Sequence, residues 1–258
     1  MLRLPRRLDD GAEASTVEHL EELRSRLMVA GGAILVGTIA AYLVHRRILR
    51  LLIAALPPGH RRLTTFGIAE PFLTSLKVSV AAGVALALPV ILWQLWGFFA
   101  PAITPRTRRS TSHFALIAAA LMGGGMLFGY SVALPAALKF LTNYDNNVYN
   151  VQIRAADYIS FAVLVLAACG AVFELPVAVL GLVRIRALTS HRLRHNRRIG
   201  YMIVACIGVA LPGVDPITTI IETIPLAVLF EASIWLAVVF ERRWNLAPAA
   251  TIGRSAIR

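Results

Sequence analysis

The residues best equipped for chemistry lie in one short stretch, Ser15 to Leu27, with the sequence STVEHLEELRSRL. Ser15 followed three residues later by Glu18 makes a capping box, in which side chains satisfy the backbone N–H groups that open a helix. Glu22 and Arg26 are four apart and support each other on one helix face, while Glu18 and Glu22 repel mildly at the same spacing. Pairing with Arg24 and Arg26 therefore does not fully account for the cluster Glu18, Glu21 and Glu22. At Leu27 a long apolar run begins, so the acids lie at a membrane surface if that run is a membrane span. Two readings follow. One is a solvated helix at the membrane surface, where ion pairs contribute little. The other is an anionic site for a cationic partner.

A second group of acids sits where carboxylates are costly. Glu174 lies within an apolar run as Phe173-Glu174-Leu175-Pro176, and Glu222 and Glu231 lie in the last such run. An ionisable group inside a span is expected to face a partner or a watery cavity. Glu174 reads as a polar contact for a partner's transmembrane helix or for local water. Alternatively it is a neutral acid, or one hydrogen-bonded to backbone freed near Pro176. Glu231 divides the same way, between a partner contact and packing against a neighbouring span. Glu222 is nearer the outer end and reads as interfacial. Glu70-Pro71-Phe72 leads into an apolar run, and Asp215-Pro216 reads as a turn with an N-cap for the last helix.

The elements that must position these residues follow from composition. The chain has 258 residues, 57% hydrophobic and 16% charged, too apolar for an ordinary soluble domain. Runs of about 20 apolar residues recur, the length of a helix that crosses the hydrocarbon core. Six spans are expected, over 27–44, 72–99, 111–133, 158–183, 199–211 and 217–240, within a single domain covering 1–258. The fifth is short, which implies local mismatch with the bilayer. His45 to Ile53 reads as an interfacial amphipathic helix, and Leu134 to Asp157 as a polar loop. Cys169 and Cys206 fall in apolar runs and read as small buried residues.

The net charge of +12 is carried by arginine-rich loops, with no basic stripe interleaved with aromatics to suggest nucleic acid. Of the 26 Lys and Arg residues, 18 fall in the N-terminal segment, the loops around 101–109 and 184–198, and the tail, against seven in the alternate loops. The positive-inside rule then puts both termini in the cytoplasm. No metal-ligand spacing and no nucleophile or metalloprotease motif is present, so neither a metal, a cofactor nor an enzyme is expected.

Several segments in order resemble one family. His19-Leu20-Glu21-Glu22-Leu23-Arg24-Ser25-Arg26-Leu27 resembles the signature of TatC, the multispanning subunit of the twin-arginine protein translocase. Glu70-Pro71-Phe72, Leu88 to Trp96, Phe173 to Val177, and Asp215-Pro216 followed by Pro225 and Phe230-Glu231 are similar to further family motifs. The resemblance implies six helices in a concave, glove-like bundle in the inner (cytoplasmic) membrane. It implies binding of Arg-Arg signal peptides of folded proteins, assembly with TatA-type and TatB-type single-span partners into an oligomer, and export driven by the proton-motive force. On this resemblance Glu22 is the recognition glutamate, with Glu21, Leu23 and Arg24 beside it. Glu174, Pro176 and Glu231 belong to an intramembrane polar site, and Glu70, Pro71, Phe72 and Asp215 to caps or turns on the far side. The chain departs from the family at two positions. Thr107 stands where a second recognition glutamate is usual, ahead of Arg108-Arg109, and Thr219 stands where Gln is usual. A rival reading is a proton-coupled secondary transporter using Glu174 and Glu231, but no inverted repeat is evident.

Overall fold

The computed structural model describes residues 16–99, 108–144, 148, 152–184, 188–210 and 216–243. Ten α-helices run in chain order through these residues: α1 (Thr16–Leu43), α2 (His45–Ala54), α3 (Glu70–Phe99), α4 (Arg108–Phe128), α5 (Leu134–Asn143), α6 (Ala155–Phe173), α7 (Leu175–Arg184), α8 (Ser190–His195), α9 (Arg197–Ala210) and α10 (Pro216–Arg243). Among the described residues the extended structure is one bridge, Thr64 with Arg154.

Among the described residues five segments are long and apolar enough to cross a membrane: Leu20–Leu43, Glu70–Leu95, Leu116–Asn143, Ala155–Arg184 and Thr219–Glu241. The expected fifth span corresponds to α9, which has 14 residues. At 1.5 Å per residue it is about 21 Å long, short of a hydrocarbon core of about 30 Å. The third segment runs ten residues further than expected, taking in the start of what reads as a polar loop. A π-turn over Gly129–Ala133 leads into α5, and Leu134 N–H bonds back to Gly129 C=O. That wide turn shifts the hydrogen-bond register just where Pro135 has no N–H to give, so the helix continues. The fourth segment is broken, with α6 ending at Phe173 and α7 restarting at Leu175.

The chain divides into two compact units, one formed by residues up to 49 with 72–119, the other by 50–71 with residues from 120 onward. In the first, α1 and α3 cross where Gly37 meets Gly83. A Cβ on Gly37 would lie 2.7 Å from the Gly83 carbonyl oxygen, so this approach needs residues without side chains. Leu27, Leu35, Val36 and Leu43 on α1 are exposed, as a lipid-facing stripe is.

In the second unit α10 is the central helix. Its inward stripe is Glu222, Leu226, Phe230, Ser233, Ile234 and Ala237, all buried at helical spacing. Glu222 is 3% exposed and is thus not the interfacial residue its position near the helix end suggests, because it shares that stripe with Leu226 one turn on. Helix α9 lies against α10 with Gly200 under the Phe230 ring and Gly208 against Thr223. Cys206, half a turn from the inward Val204, is exposed rather than buried, while Cys169 is buried as expected. Val172, Val204, Leu226, Phe230 and Ile234 form the core, with Phe173, Leu175, Leu193 and Ile207 packed on it.

Candidate functional site

The first cluster belongs to the start of α1. Glu21, Leu23 and Arg24 are exposed, whereas Glu22 is half-buried. Arg26, one turn on, donates to Glu22 Oε1 from Nε at 2.9 Å and also from Nη2. The same guanidinium donates from Nη1 to the backbone oxygen of Gln94 at 3.3 Å and to its Oε1 at 3.4 Å. Arg26 therefore fixes Glu22 relative to α3. The side chains of Glu22 and Arg26 are 27% and 25% exposed, so the pair is shielded from solvent yet reachable. Gln94 is the member that sequence reasoning missed. It lies 68 residues from Arg26, and only its place in the segment Leu88 to Trp96 marked it. Thr107 and Asp215 lie outside the described residues, as do Ser15 and the Glu18 side chain.

The intramembrane acids separate. Glu231 accepts from Arg197 Nη2 at 2.8 Å and from the Tyr201 hydroxyl at 3.0 Å, so neighbours on α9 engage it. This is the packing arrangement that the sequence left open for Glu231. Glu174 is the residue at the break between α6 and α7, its N–H bonding back to Ala171 C=O. Both its carboxyl oxygens are inaccessible to solvent, and neither has a hydrogen-bond partner among the described residues. The break has a local cause, since Pro176 has no N–H to offer Val172 and its ring crowds that carbonyl. Helix α4 supports α6 here by close approach: a Cβ on Gly125 would lie 2.5 Å from the Cys169 carbonyl oxygen. Phe128 and Phe173 pack with ring centroids 5.7 Å apart.

Glu70 opens α3 and is 7% exposed. Its carboxylate accepts from the N–H groups of Phe66 (3.1 Å), Gly67 (3.3 Å) and Ala156 (3.1 Å) and from the Arg154 guanidinium (3.2 Å). The carboxylate holds Arg154 even more firmly protonated than usual. Thr64 pairs with Ile153 and Ala155 through backbone bonds of 3.0 and 2.8 Å. The carbonyls at the end of α2 are taken up by hydroxyls, Leu51 by Tyr130 at 2.9 Å and Leu52 by Tyr158. Pro71 and Phe72, next along α3, are exposed. The triplet Glu70-Pro71-Phe72 was legible as the start of a span, but the partner Arg154 was not.

Membrane-length helices, one of them broken at a buried carboxyl, and an acid-bearing helical segment running into the first, define a polytopic α-helical membrane protein. The family model described as Sec-independent protein translocase protein (TatC) matches residues 18–225. The TatC of Carboxydothermus hydrogenoformans is 33% identical over 221 residues, covering 85% of this chain and 91% of that protein. TatCd of Bacillus subtilis is 33% identical over 242 residues, covering 93% and 99%. A crystal structure of the twin-arginine translocase receptor TatC in DDM superposes with a TM-score of 0.74 at 31% identity, covering 85% of this chain and 99% of that one. The chain belongs to the TatC family, a component of the Sec-independent protein translocase, and its work is protein transport.

Proposed function

We propose that this chain is the receptor that binds the Arg-Arg pair of signal peptides on folded cargo, with Glu22 as the principal contact. The observation that carries this reading is the half-buried Glu22 carboxylate, held at the mouth of the first span by Arg26, whose guanidinium also bonds Gln94. A carboxylate offers planar oxygens that match a guanidinium fork, and such charge-assisted bonds are strong where water is partly excluded. A signal peptide's guanidinium competes with, or joins, Arg26 at this carboxylate. Exposed Glu21, Leu23 and Arg24 form the surrounding surface. Thr107 supplies no charge where the family has a second glutamate, so Glu22 carries more of the recognition here.

In the same reading the chain spans the membrane six times as one domain, α9 included, with both termini in the cytoplasm of a cell with this inner-membrane system. Glu174, buried and with no hydrogen-bond partner among the described residues, supports a polar contact with the transmembrane helix of a TatB-type or TatA-type partner, and Pro176 keeps the helix open there. Glu70, Pro71, Phe72 and Asp215 shape the opposite side of the membrane. The proton-motive force drives transport through the assembled complex. The test is the affinity of the purified protein for a twin-arginine peptide. Glu22→Ala should weaken binding by roughly tenfold to a hundredfold, the value of one lost charge-assisted contact. Unchanged affinity would overturn the assignment of Glu22.

A further inference from the structure

The Glu70 clamp holds something up. Between Thr64 and Glu70 the chain makes a short loop whose two large apolar side chains are exposed, Phe66 by 76% and Ile68 fully. A loose loop would not keep two such residues out in a fixed direction. This one is fastened at Thr64, Phe66, Gly67 and Glu70. Thr64 is bridged to the strand-like residues before α6, and the N–H groups of Phe66 and Gly67 both donate to Glu70. Arg154 lies over the Phe66 ring, its guanidinium carbon 5.8 Å from the centroid. The loop is therefore preformed, with its apolar tip outward.

The position of the clamp identifies what meets that tip. Glu70 is the first residue of the span Glu70–Leu95, and Arg154 immediately precedes the span Ala155–Arg184. Two membrane-length helices thus end at this one point, where hydrocarbon gives way to head groups. Ile68 and Phe66 are two and four residues from the span start, so they stand at most about 7–14 Å from that boundary. Aromatic and aliphatic side chains beside an arginine, at that depth, match the layered chemistry of a lipid monolayer: acyl chains, then phosphate.

We infer that Phe66 and Ile68 form a built-in lipid anchor, inserted into the head-group boundary of the leaflet that meets the start of α3, with the half-exposed Arg154 at phosphate depth and Glu70 holding the loop in shape. This goes beyond the proposed receptor role and does not depend on it. It needs only the spans.

Spin-label depth measurements test it. The full-length protein, with Cys169→Ala and Cys206→Ser, is labelled through Phe66→Cys or Ile68→Cys and reconstituted in vesicles of phosphatidylethanolamine and phosphatidylglycerol. Leu35→Cys provides a lipid-facing reference and Arg62→Cys an aqueous one, both being exposed positions. The ratio of oxygen to nickel-chelate accessibility at 66 and 68 should be several-fold above that at Arg62 and approach that at Leu35. Adding Glu70→Gln should move the label at 68 toward the aqueous value and raise its mobility. A nickel-dominated ratio at both sites would place the tip in water, and shielding from both reagents would place it under protein. Either result overturns the anchor, and an unchanged label in Glu70→Gln overturns the role of the clamp.

Discussion

Glu174 offers the sharpest energetic prediction. Its carboxyl oxygens are shut away from solvent with no hydrogen-bond partner among the described residues, at a helix break that Pro176 enforces. A buried polar group left unpaired costs about 1–3 kcal/mol, and apolar replacement of similar shape removes that cost. Glu174→Leu should therefore stabilise the isolated protein. At about 2–4 °C per kcal/mol for a chain of this size, the melting temperature in detergent should rise by a few degrees. Glu174→Gln keeps the polarity and should change it little. If the carboxyl is kept for a partner's helix, the same Glu174→Leu protein should insert normally yet export cargo poorly and copurify less with the single-span partner. The assay pairs a thermal unfolding series with export in cells lacking the native copy. A fall in melting temperature on Glu174→Leu would show that the carboxyl is satisfied within the fold. A rise with normal export would show that it serves no partner. Either result would rule out an unsatisfied carboxyl kept for a partner's helix.

Other expectations are simpler. Gly37→Leu places a side chain against the Gly83 backbone and should destabilise by about 1–3 kcal/mol, seen as a lower melting temperature and protease sensitivity in the first unit. Tyr158→Phe removes the hydroxyl bond to Leu52 C=O and should lower stability by about 1 kcal/mol, with hydrogen exchange rising first at the end of α2. Gln94→Leu removes the side-chain half of the link between Arg26 and α3, the backbone carbonyl of residue 94 remaining, and should weaken signal-peptide binding by about twofold to threefold while leaving the melting temperature nearly unchanged.

What the sequence revealed depended on range. The apolar runs and the acid-rich first helix are local patterns, and they located the membrane-length helices and the acid cluster from which the family resemblance singled out Glu22. Glu174 was legible as an acid in an apolar run. Its lack of a partner among the described residues was not, because that depends on what the neighbouring helices bring. Glu231 looked equivalent, yet Arg197 and Tyr201 reach it across 34 and 30 residues. The third span was cut short because the residues from Leu134 to Asp157 read as one polar loop, and the π-turn that carries the helix on past Pro135 has no strong local signal. Glu222 was placed by its distance from the helix end, whereas the stripe it shares with Leu226 and Phe230 decides its burial. Gln94 and Arg154 became visible only when α1 met α3 and when Glu70 met the start of α6.

If Glu22 reads the arginine pair, a signal peptide must come within reach of the start of α1 and do so through its arginines. The most direct test puts a photoreactive residue at position 23 or 107, leaves Glu22 intact, and presents a twin-arginine signal peptide or its Lys-Lys form in membranes. A crosslink at 23 should form with the twin-arginine peptide, be lost with Lys-Lys and be lost again in Glu22→Ala. Equal crosslinking of both peptides, or a crosslink that survives Glu22→Ala, would contradict it.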